Sequence, residues 1–147
     1  MTTEVQERLT AVRERAHPRC MACSQVNGRN LSLHFQAVDD GGVRAWVIPS
    51  ARFEGYPGMV HGGVIATLLD AAMTNCLFAM GWPAVTGELT IRYREPVQCG
   101  RACAVHAWLE RASSPLFLVR AELTQDSRVR ARASAKFILR QEPSEGS

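Results

Sequence analysis

Residues 61–80, HGGVIATLLDAAMTNCLFAM, are the longest predominantly apolar stretch of the 147-residue chain and predict one long helix. Gly81 and Pro83 follow this stretch and are typical of a helix end. Four polar residues interrupt the apolar run, whose length is also close to the minimum that crosses a bilayer. We therefore expect a buried helix and no membrane partner. A helix that is apolar on nearly all sides must also be covered on nearly all sides.

Alternating apolar and polar residues on both sides of this helix predict β-strands. The alternating runs lie at residues 31–36, 43–48, 88–94, 103–109, 117–123 and 129–137. Short turns such as Asp39-Asp40-Gly41-Gly42 separate them, and short turns imply antiparallel neighbours. The last run carries alanines on its apolar face, which leaves room for a helix to lie close. The sequence therefore predicts an α+β domain whose curved antiparallel sheet wraps around one long central helix.

The two ends of the chain differ from this central part. Residues 2–16 carry Val5, Leu9 and Val12 at helical spacing, so we expect a short N-terminal helix that Thr2 or Thr3 caps and that ends before Pro18. We divide the chain into an N-terminal helix and Cys-x-x-Cys loop (residues 1–27, ending near an Asn-Gly turn), one folded domain (28–140) and a disordered tail (141–147).

Composition and charge exclude several classes of protein. Hydrophobic residues make up 46% and charged residues 21% of the chain, which is typical of a globular domain and not of a disordered one. The net charge of +3 is too small for a general nucleic-acid binder, so we expect no nucleic-acid partner. The N-terminal stretch lacks the apolar core of a signal peptide, and five cysteines are an odd number. We therefore expect a cytoplasmic protein with reduced thiols.

Asp70 lies near the middle of the predicted helix, where a carboxylate is costly unless it is hydrogen-bonded, paired or open to a wet cleft. Together with Thr67 and Thr74 it forms one polar stripe at positions i, i+3 and i+7. One interpretation is a packing contact in which threonine hydroxyls or an arginine hold Asp70. The other is a catalytic base or nucleophile. The spacing alone leaves both open.

The start of the helix is the second candidate feature. Gly58, Gly62 and Gly63 leave the backbone uncovered where the first amides of a helix have no intrahelical partner. Such amides can stabilise the oxyanion that forms when a carbonyl is attacked. Tight packing alone is also consistent with a Gly-Gly helix start.

The stretch GYPGMVHGGVIATLLDAAMTN (55–75) resembles the signature of hotdog-fold acyl-CoA thioesterases, in particular their phenylacetate-degradation (PaaI-like) branch. The residues that carry the resemblance are His61, Gly62, Gly63 and the acid nine positions after the histidine, Asp70. The run AVTGELTIRYREPV (84–97) is similar to the family's strand after the helix, where Thr86 matches a hydroxyl-bearing position that faces the active site. The resemblance covers about residues 28–140. It implies the hotdog fold and hydrolysis of an acyl-CoA substrate to free acid and CoA, with no cofactor and no metal.

Helix geometry constrains how such a site is built. Gly62 and Asp70 are separated by eight residues, or about 12 Å along a helix. An oxyanion donor and a nucleophile must both lie about 3 Å from one carbonyl group, so one helix cannot supply both. Two antiparallel helices across a two-fold axis can. We therefore expect a homodimer with intersubunit sites, in agreement with the family, and leave open whether dimers pair into homotetramers.

The resemblance implies a role for each residue around the site. The amide of Gly62, or that of Gly63, polarises the thioester carbonyl. Asp70 of the partner subunit then attacks the carbonyl or takes a proton from the attacking water. Thr86 orients the carboxylate or the water. Thr74 is a second candidate for this task, with simple helix packing as the alternative.

Further candidates surround this core. His61 is expected to fix the loop by a hydrogen bond rather than to act as a base. Tyr56 stands near the place where many relatives carry an asparagine and is a candidate for substrate binding. Glu88 lies on the polar face of its strand, with a plain surface role as the alternative. Arg92 and Arg94 are candidates for contacts with CoA phosphates, although a solvated outer sheet face explains most of the neighbouring arginines.

His17, Cys20 and Cys23 have ligand types and local spacing that suit zinc. Structural zinc sites usually contain two close ligand pairs, so a cysteine-bearing loop without metal is the favoured interpretation, and Cys76 is expected in the core. Two alternative functions stay open. One is a non-catalytic acyl-CoA-binding or metal-bearing hotdog module. The other is an enoyl-CoA hydratase, which the missing hydratase loop sequences disfavour.

Overall fold

The computed structural model describes residues 3–24, 31, 33–39 and 41–140. Its elements are α1 (Thr3–Ala16), β1 (Gln36–Ala37), β2 (Val43–Val47), a short 3-10 helix (Ala51–Phe53), α2 (Gly62–Ala79), β3 (Ala84–Tyr93), β4 (Cys103–Ser113), β5 (Leu116–Gln125) and β6 (Arg128–Leu139). The strands form one antiparallel sheet in the order β1-β2-β4-β5-β6-β3. The predicted α+β class is confirmed. The predicted Thr2 cap, the Asn27-Gly28 turn and the tail from residue 141 lie outside the described residues.

The central helix α2 ends in a Schellman motif. The Trp82 amide donates to the carbonyl of Leu77 and the Gly81 amide to that of Phe78, both at 2.9 Å. Gly81 adopts a φ of +86°, a conformation that glycine reaches without strain. α2 is long and apolar enough to cross a membrane by length and composition, but 67% of its residues are buried inside the fold. It is therefore the core helix that the sequence predicts.

The N-terminal helix α1 packs along the C-terminal half of α2. Leu9 and Val12 are its buried residues, and the Arg8 Nε donates to the carbonyl of Ala79 at 2.7 Å. The side chain of Gln6 bonds both the carbonyl of Phe35 and the amide of Ala37, which ties α1 to β1. The sequence predicts that α2 is covered on nearly all sides, including the face that the sheet leaves open. α1 covers the C-terminal part of that face, whereas the N-terminal half of α2 stays partly exposed.

The first strand is shorter than the alternation of residues 31–36 predicts. Leu33 and Phe35 are buried as expected, but only Gln36–Ala37 pairs with β2. The amides of Leu31 and Leu33 donate instead to the carbonyls of Met21 and Ala22, each at 2.8 Å. The alternating pattern therefore identifies the buried side chains correctly. The backbone amides of this segment, however, bond to the Cys-x-x-Cys loop and not to a neighbouring strand.

The strand β3 lies at an edge of the sheet beside β6. Ala131, Ala133 and Ala135 of β6 are buried against the core, which confirms the predicted inner face of small residues. On β3, Val85 and Tyr93 are 51% and 52% exposed. A ten-residue edge strand with exposed apolar side chains offers a row of unpaired backbone groups to another chain.

Candidate active site

The carboxylate of Asp70 is held by a hydroxyl from the edge strand. Thr86 Oγ1 donates to Asp70 Oδ1 at 2.6 Å, which joins the middle of α2 to the first half of β3. Asp70 is only partly buried, because the N-terminal half of α2 is not fully covered within this chain. The arrangement gives an oriented carboxylate that solvent or a ligand can reach. Such a group can serve as a nucleophile or as a general base.

A bulge at Gly87 places Thr86 on the inner face. Strict alternation would put Thr86 on the same face as Glu88, which lies on the outer surface of the sheet. The pairing register skips Gly87, so that Thr86 faces Phe137 while Glu88 faces Lys136. The extra residue shifts the alternation by one position, so the side chain of Thr86 points to the inner face of the sheet while that of Glu88 points outward. The resemblance to the family predicts this placement, whereas the alternation does not.

The two threonines of the predicted polar stripe do not gather around the carboxylate. Thr67 Oγ1 donates to the carbonyl of Gly63, and Thr74 Oγ1 donates to the carbonyl of Asp70, each at 2.9 Å. Both hydroxyls therefore satisfy the backbone of their own helix. For Thr74, which is buried, this geometry corresponds to the packing alternative rather than to orientation of the Asp70 carboxylate.

His61 organises the start of α2. It is the N-cap residue, and its Nδ1 accepts a hydrogen bond from the Gly63 amide at 2.8 Å. The Val64 and Ile65 amides donate to the His61 carbonyl. Among the described residues, no group accepts from the amide of Gly62, which is exposed. The free donor is therefore the Gly62 amide and not that of Gly63, and the expected loop-fixing hydrogen bond of His61 is present.

Tyr93 is a residue of this region that sequence reasoning missed. Its hydroxyl donates to the carbonyl of Gly62 at 2.8 Å, and its ring lies 3.7 Å from where a Cβ on Gly62 would be. The bond holds the Gly62 carbonyl, which shares its peptide with the Gly63 amide, and so steadies the first turn of α2. The only signal in the sequence is that Tyr93 continues the inward-facing series of β3.

Tyr56 lies beside the helix start but points away from the core. Its side chain is 78% exposed, and it borders a shallow pocket of about 360 Å³ that also includes Met59, His61 and Gly62. The pocket brings Tyr56 to the same surface as the free amide. Tyr56 forms no hydrogen bond with Asp70 or Thr86 among the described residues, so its role in substrate binding stays a prediction.

The other predicted binding residues lie elsewhere. Glu88 pairs with Lys136 at 3.8 Å on the outer face of the sheet, and Arg92 is opposite Arg132 in the same pairing. Arg94 directly follows β3 and is exposed. The chain does not bring these three side chains to Asp70, so their roles in substrate binding stay predictions.

A second cluster of reactive side chains lies at the other end of α2. The ligand atoms of His17, Cys20 and Cys23 lie within 4.8 Å of one another. A hydrogen bond from the Cys23 side chain lowers the pKa of the Cys20 thiol, and the same bond together with burial raises the pKa of Cys23. Burial alone raises the pKa of Cys76 to about 12 and that of Cys103 to about 11, as expected of inert core thiols. No two of the five cysteines, all of which are described, form a disulfide.

Comparison with known proteins defines the family. Residues 57–131, just over half of the chain, match the model of the thioesterase superfamily. The matched segment contains the helix start, α2, Thr86 and Tyr93. The chain belongs to the thioesterase superfamily, and its sheet wrapped around a central helix is the hotdog fold that the sequence resemblance implies.

Individual relatives agree with this assignment. The acyl-coenzyme A thioesterase THEM4 of Rattus norvegicus is 31% identical over 89 residues, which are 59% of this chain and 38% of THEM4. The chain thus matches less than half of the length of this relative. Among solved structures, the E. coli PaaI protein from the phenylacetic acid degradation operon superposes with a TM-score of 0.78 at 15% identity, covering 93% of this chain and 96% of PaaI. The smu.793 protein of Streptococcus mutans, bound to acetyl CoA, superposes with a TM-score of 0.69 at 19% identity, covering 76% and 91%.

Proposed function

We propose that the protein hydrolyses acyl-CoA thioesters to a free acid and CoA. The observation that carries this proposal is the pair formed by an oriented, accessible carboxylate at Asp70 and a free helix-start amide at Gly62. Membership of the thioesterase superfamily, the similarity to an acyl-coenzyme A thioesterase and the acetyl CoA bound to a structural neighbour support the substrate class.

The amide of Gly62 acts on the carbonyl group of the substrate. It belongs to the first residue of an 18-residue helix, so that the positive end of the helix dipole adds to its hydrogen bond. The thioester oxygen accepts from this amide, and the hydrogen bond strengthens as negative charge develops on the oxygen. Tyr93 steadies the first turn of the helix by its bond to the Gly62 carbonyl, which belongs to the next peptide unit.

The carboxylate of Asp70 supplies the second half of the reaction. As a nucleophile, it adds to the thioester carbon and expels the CoA thiolate, and water then cleaves the resulting anhydride. As a general base, it takes a proton from water, whose oxygen adds to the same carbon while the C–S bond breaks. Both routes consume one water and release one acid and one thiol. Thr86 orients the carboxylate in either route.

The two groups act on one carbonyl in a homodimer. Within one chain, eight residues separate Gly62 from Asp70, about 12 Å along the helix axis. The edge strand β3 and the partly exposed N-terminal half of α2 meet at the Thr86–Asp70 bond, and a second copy that packs there would cover both. A two-fold axis there places Gly62 of one subunit beside Asp70 of the other. Pairing of dimers into tetramers would leave this site unchanged.

The phosphate groups of CoA require cationic side chains on the surface beyond the Gly62–Asp70 site. On the outer face of the sheet, Arg128 and Arg132 are already paired with Glu95 and Glu122. Arg92 and Arg94 form no ion pair with a described residue, and their guanidinium groups suit phosphate. They are therefore the proposed phosphate contacts, while Tyr56 borders the path toward the Gly62 amide.

Thiol release from a panel of short-chain, medium-chain and aryl acyl-CoA substrates tests the proposal. The wild-type chain should release CoA from at least one class. Asp70→Asn should lower kcat by about 10²–10⁴-fold, while the fold and the dimer remain intact. Asp126→Asn is a matched control, because Asp126 is an exposed turn residue that, within the described part of the chain, pairs with Arg101 and Arg130 alone. Undiminished turnover in the Asp70 variant, or hydration of an enoyl-CoA without any thiol release, would reject the proposal.

A further inference from the structure

The loop after α1 carries three potential metal ligands that the proposed reaction does not use. His17 directly follows α1, Cys20 is half-buried and Cys23 is fully buried. The His17 ring packs edge-to-face on Phe78 of α2, with the ring centroids 5.0 Å apart. The cluster therefore lies between the N-terminal loop and the C-terminal half of the central helix, about two turns beyond Asp70.

The distances within the cluster match those of a tetrahedral zinc site. Zinc–sulfur bonds of about 2.3 Å and zinc–nitrogen bonds of about 2.1 Å place two sulfur ligands about 3.8 Å apart, and a sulfur and a nitrogen about 3.6 Å apart. Here Cys23 Sγ lies 3.7 Å from His17 Nδ1, and all three ligand atoms are within 4.8 Å of one another. We propose that His17, Cys20 and Cys23 bind a zinc ion that fastens the N-terminal loop to α2.

Hydrogen bonds around the cluster support metal-bound thiolates. The Ala22 amide donates to Cys20 Sγ at 3.4 Å, and Asn75 lies beside the Cys23 thiol, whose pKa it lowers. Asn75 is fully buried and its Nδ2 also donates to the carbonyl of Ala71, while its Oδ1 has no partner among the described residues. N–H donors toward sulfur are what bound thiolates require from their surroundings.

The coordination sphere has one remaining position. Among the described residues, the group contains three protein ligands, and a cavity of about 530 Å³ opens beside His17, Cys20 and Met21. A water molecule from this cavity completes the tetrahedron. The cluster packs on Phe78 and lies on the loop onto which the amides of Leu31 and Leu33 are bonded, so the ion has a structural role and holds this loop.

Metal content of the full chain, purified under reducing conditions, tests this inference. We expect about one zinc per wild-type chain, or one equivalent taken up when chelator-treated protein is titrated with Zn²⁺. Cys20→Ser and, as a milder second variant, His17→Gln should each retain less than about a tenth of this zinc. Cys99→Ser is the matched control, since Cys99 is a half-buried cysteine outside the cluster and should keep the full amount.

Two further measurements make the outcome decisive. Co²⁺ in place of zinc should give the intense visible absorption of a thiolate-bound ion in the wild type and in Cys99→Ser, and not in Cys20→Ser. Chelation should lower Tm in the same two proteins. No zinc uptake by the wild type, equal zinc in Cys20→Ser and Cys99→Ser, or a Cys20–Cys23 disulfide in reduced preparations would overturn the inference. None of these readouts depends on thioester hydrolysis, so the proposed function and the metal site fail separately.

Discussion

Thr86 Oγ1 donates a 2.6 Å hydrogen bond to Asp70 Oδ1 and so links the edge strand to the polar position of the central helix. The bond fixes one carboxylate oxygen. The other oxygen has no partner among the described residues and remains available to substrate or water. The bond exists only because the bulge at Gly87 turns Thr86 to the inner face of the sheet.

Loss of the Thr86 hydroxyl should impair turnover more than binding. Thr86→Ala leaves the Asp70 carboxylate free to rotate, and we expect kcat to fall about tenfold with KM nearly unchanged. Thr86→Ser retains the donor and should keep kcat within about twofold of the wild type. Steady-state kinetics with the best acyl-CoA substrate measure both. Equal losses in the two variants would show that the methyl group, and not the hydrogen bond, is what the site needs.

The donor at Gly62 can be removed without breaking the helix. Gly62 is the first residue of α2, a position where proline is favoured, and His61 before it has φ −58° and ψ 136°, which a following proline accepts. Gly62→Pro therefore deletes an N–H that has no acceptor among the residues the structure describes. We expect kcat to fall about 10²–10³-fold, the usual effect of losing one oxyanion donor.

Gly62→Ala is the matched control for this experiment. A Cβ on Gly62 would lie 3.7 Å from the Tyr93 ring, an ordinary contact, and the amide is retained. We expect the kcat of Gly62→Ala to lie within about tenfold of the wild-type value. If alanine and proline are equally damaging while circular dichroism shows an intact helix, bulk rather than the amide is responsible and the oxyanion role is wrong.

The hairpin that starts the sheet offers a test of the fold. Gly41 and Gly42 both have positive φ, +93° and +84°, but a Cβ on Gly42 would overlap the carbonyl oxygen of Ala107, whereas one on Gly41 meets nothing within 4 Å. Gly41→Ala should cost about 1–2 kcal/mol of unfolding free energy from backbone strain alone. Gly42→Ala should cost about 3 kcal/mol or more, because β2 must also move away from β4. Urea denaturation compares the two, and equal losses would contradict this packing.

Much of the fold could be predicted because it depends on periodic patterns. The apolar run of α2, its glycine end and the alternating alanines of β6 each give a strong local signal, and the structure confirms them. The first strand is shorter than predicted. The pattern indicates that Leu33 and Phe35 are buried, but it does not indicate which groups the backbone of this segment bonds.

The active-site residues could not be located from periodic patterns in the same way. A one-residue bulge leaves no mark in the alternation of β3, so the position of Thr86 came from the family resemblance alone. Thr74 has the spacing of a site residue, yet its hydroxyl bonds its own helix. Tyr93 meets Gly62 across 31 residues of sequence, a contact that only the tertiary structure reveals.

Mixed dimers test the central claim most directly, namely that Gly62 and Asp70 act on one thioester from two subunits. One chain carries Asp70→Asn and the other Gly62→Pro, and each variant alone is expected to be nearly inactive. The two chains are coexpressed with different tags, and the mixed dimers are isolated by tandem purification. An intersubunit arrangement leaves one intact site in each mixed dimer, so about half of the wild-type kcat per dimer should return. Mixed dimers that stay as inactive as their parents would contradict the account, because each chain would then have to supply both groups itself.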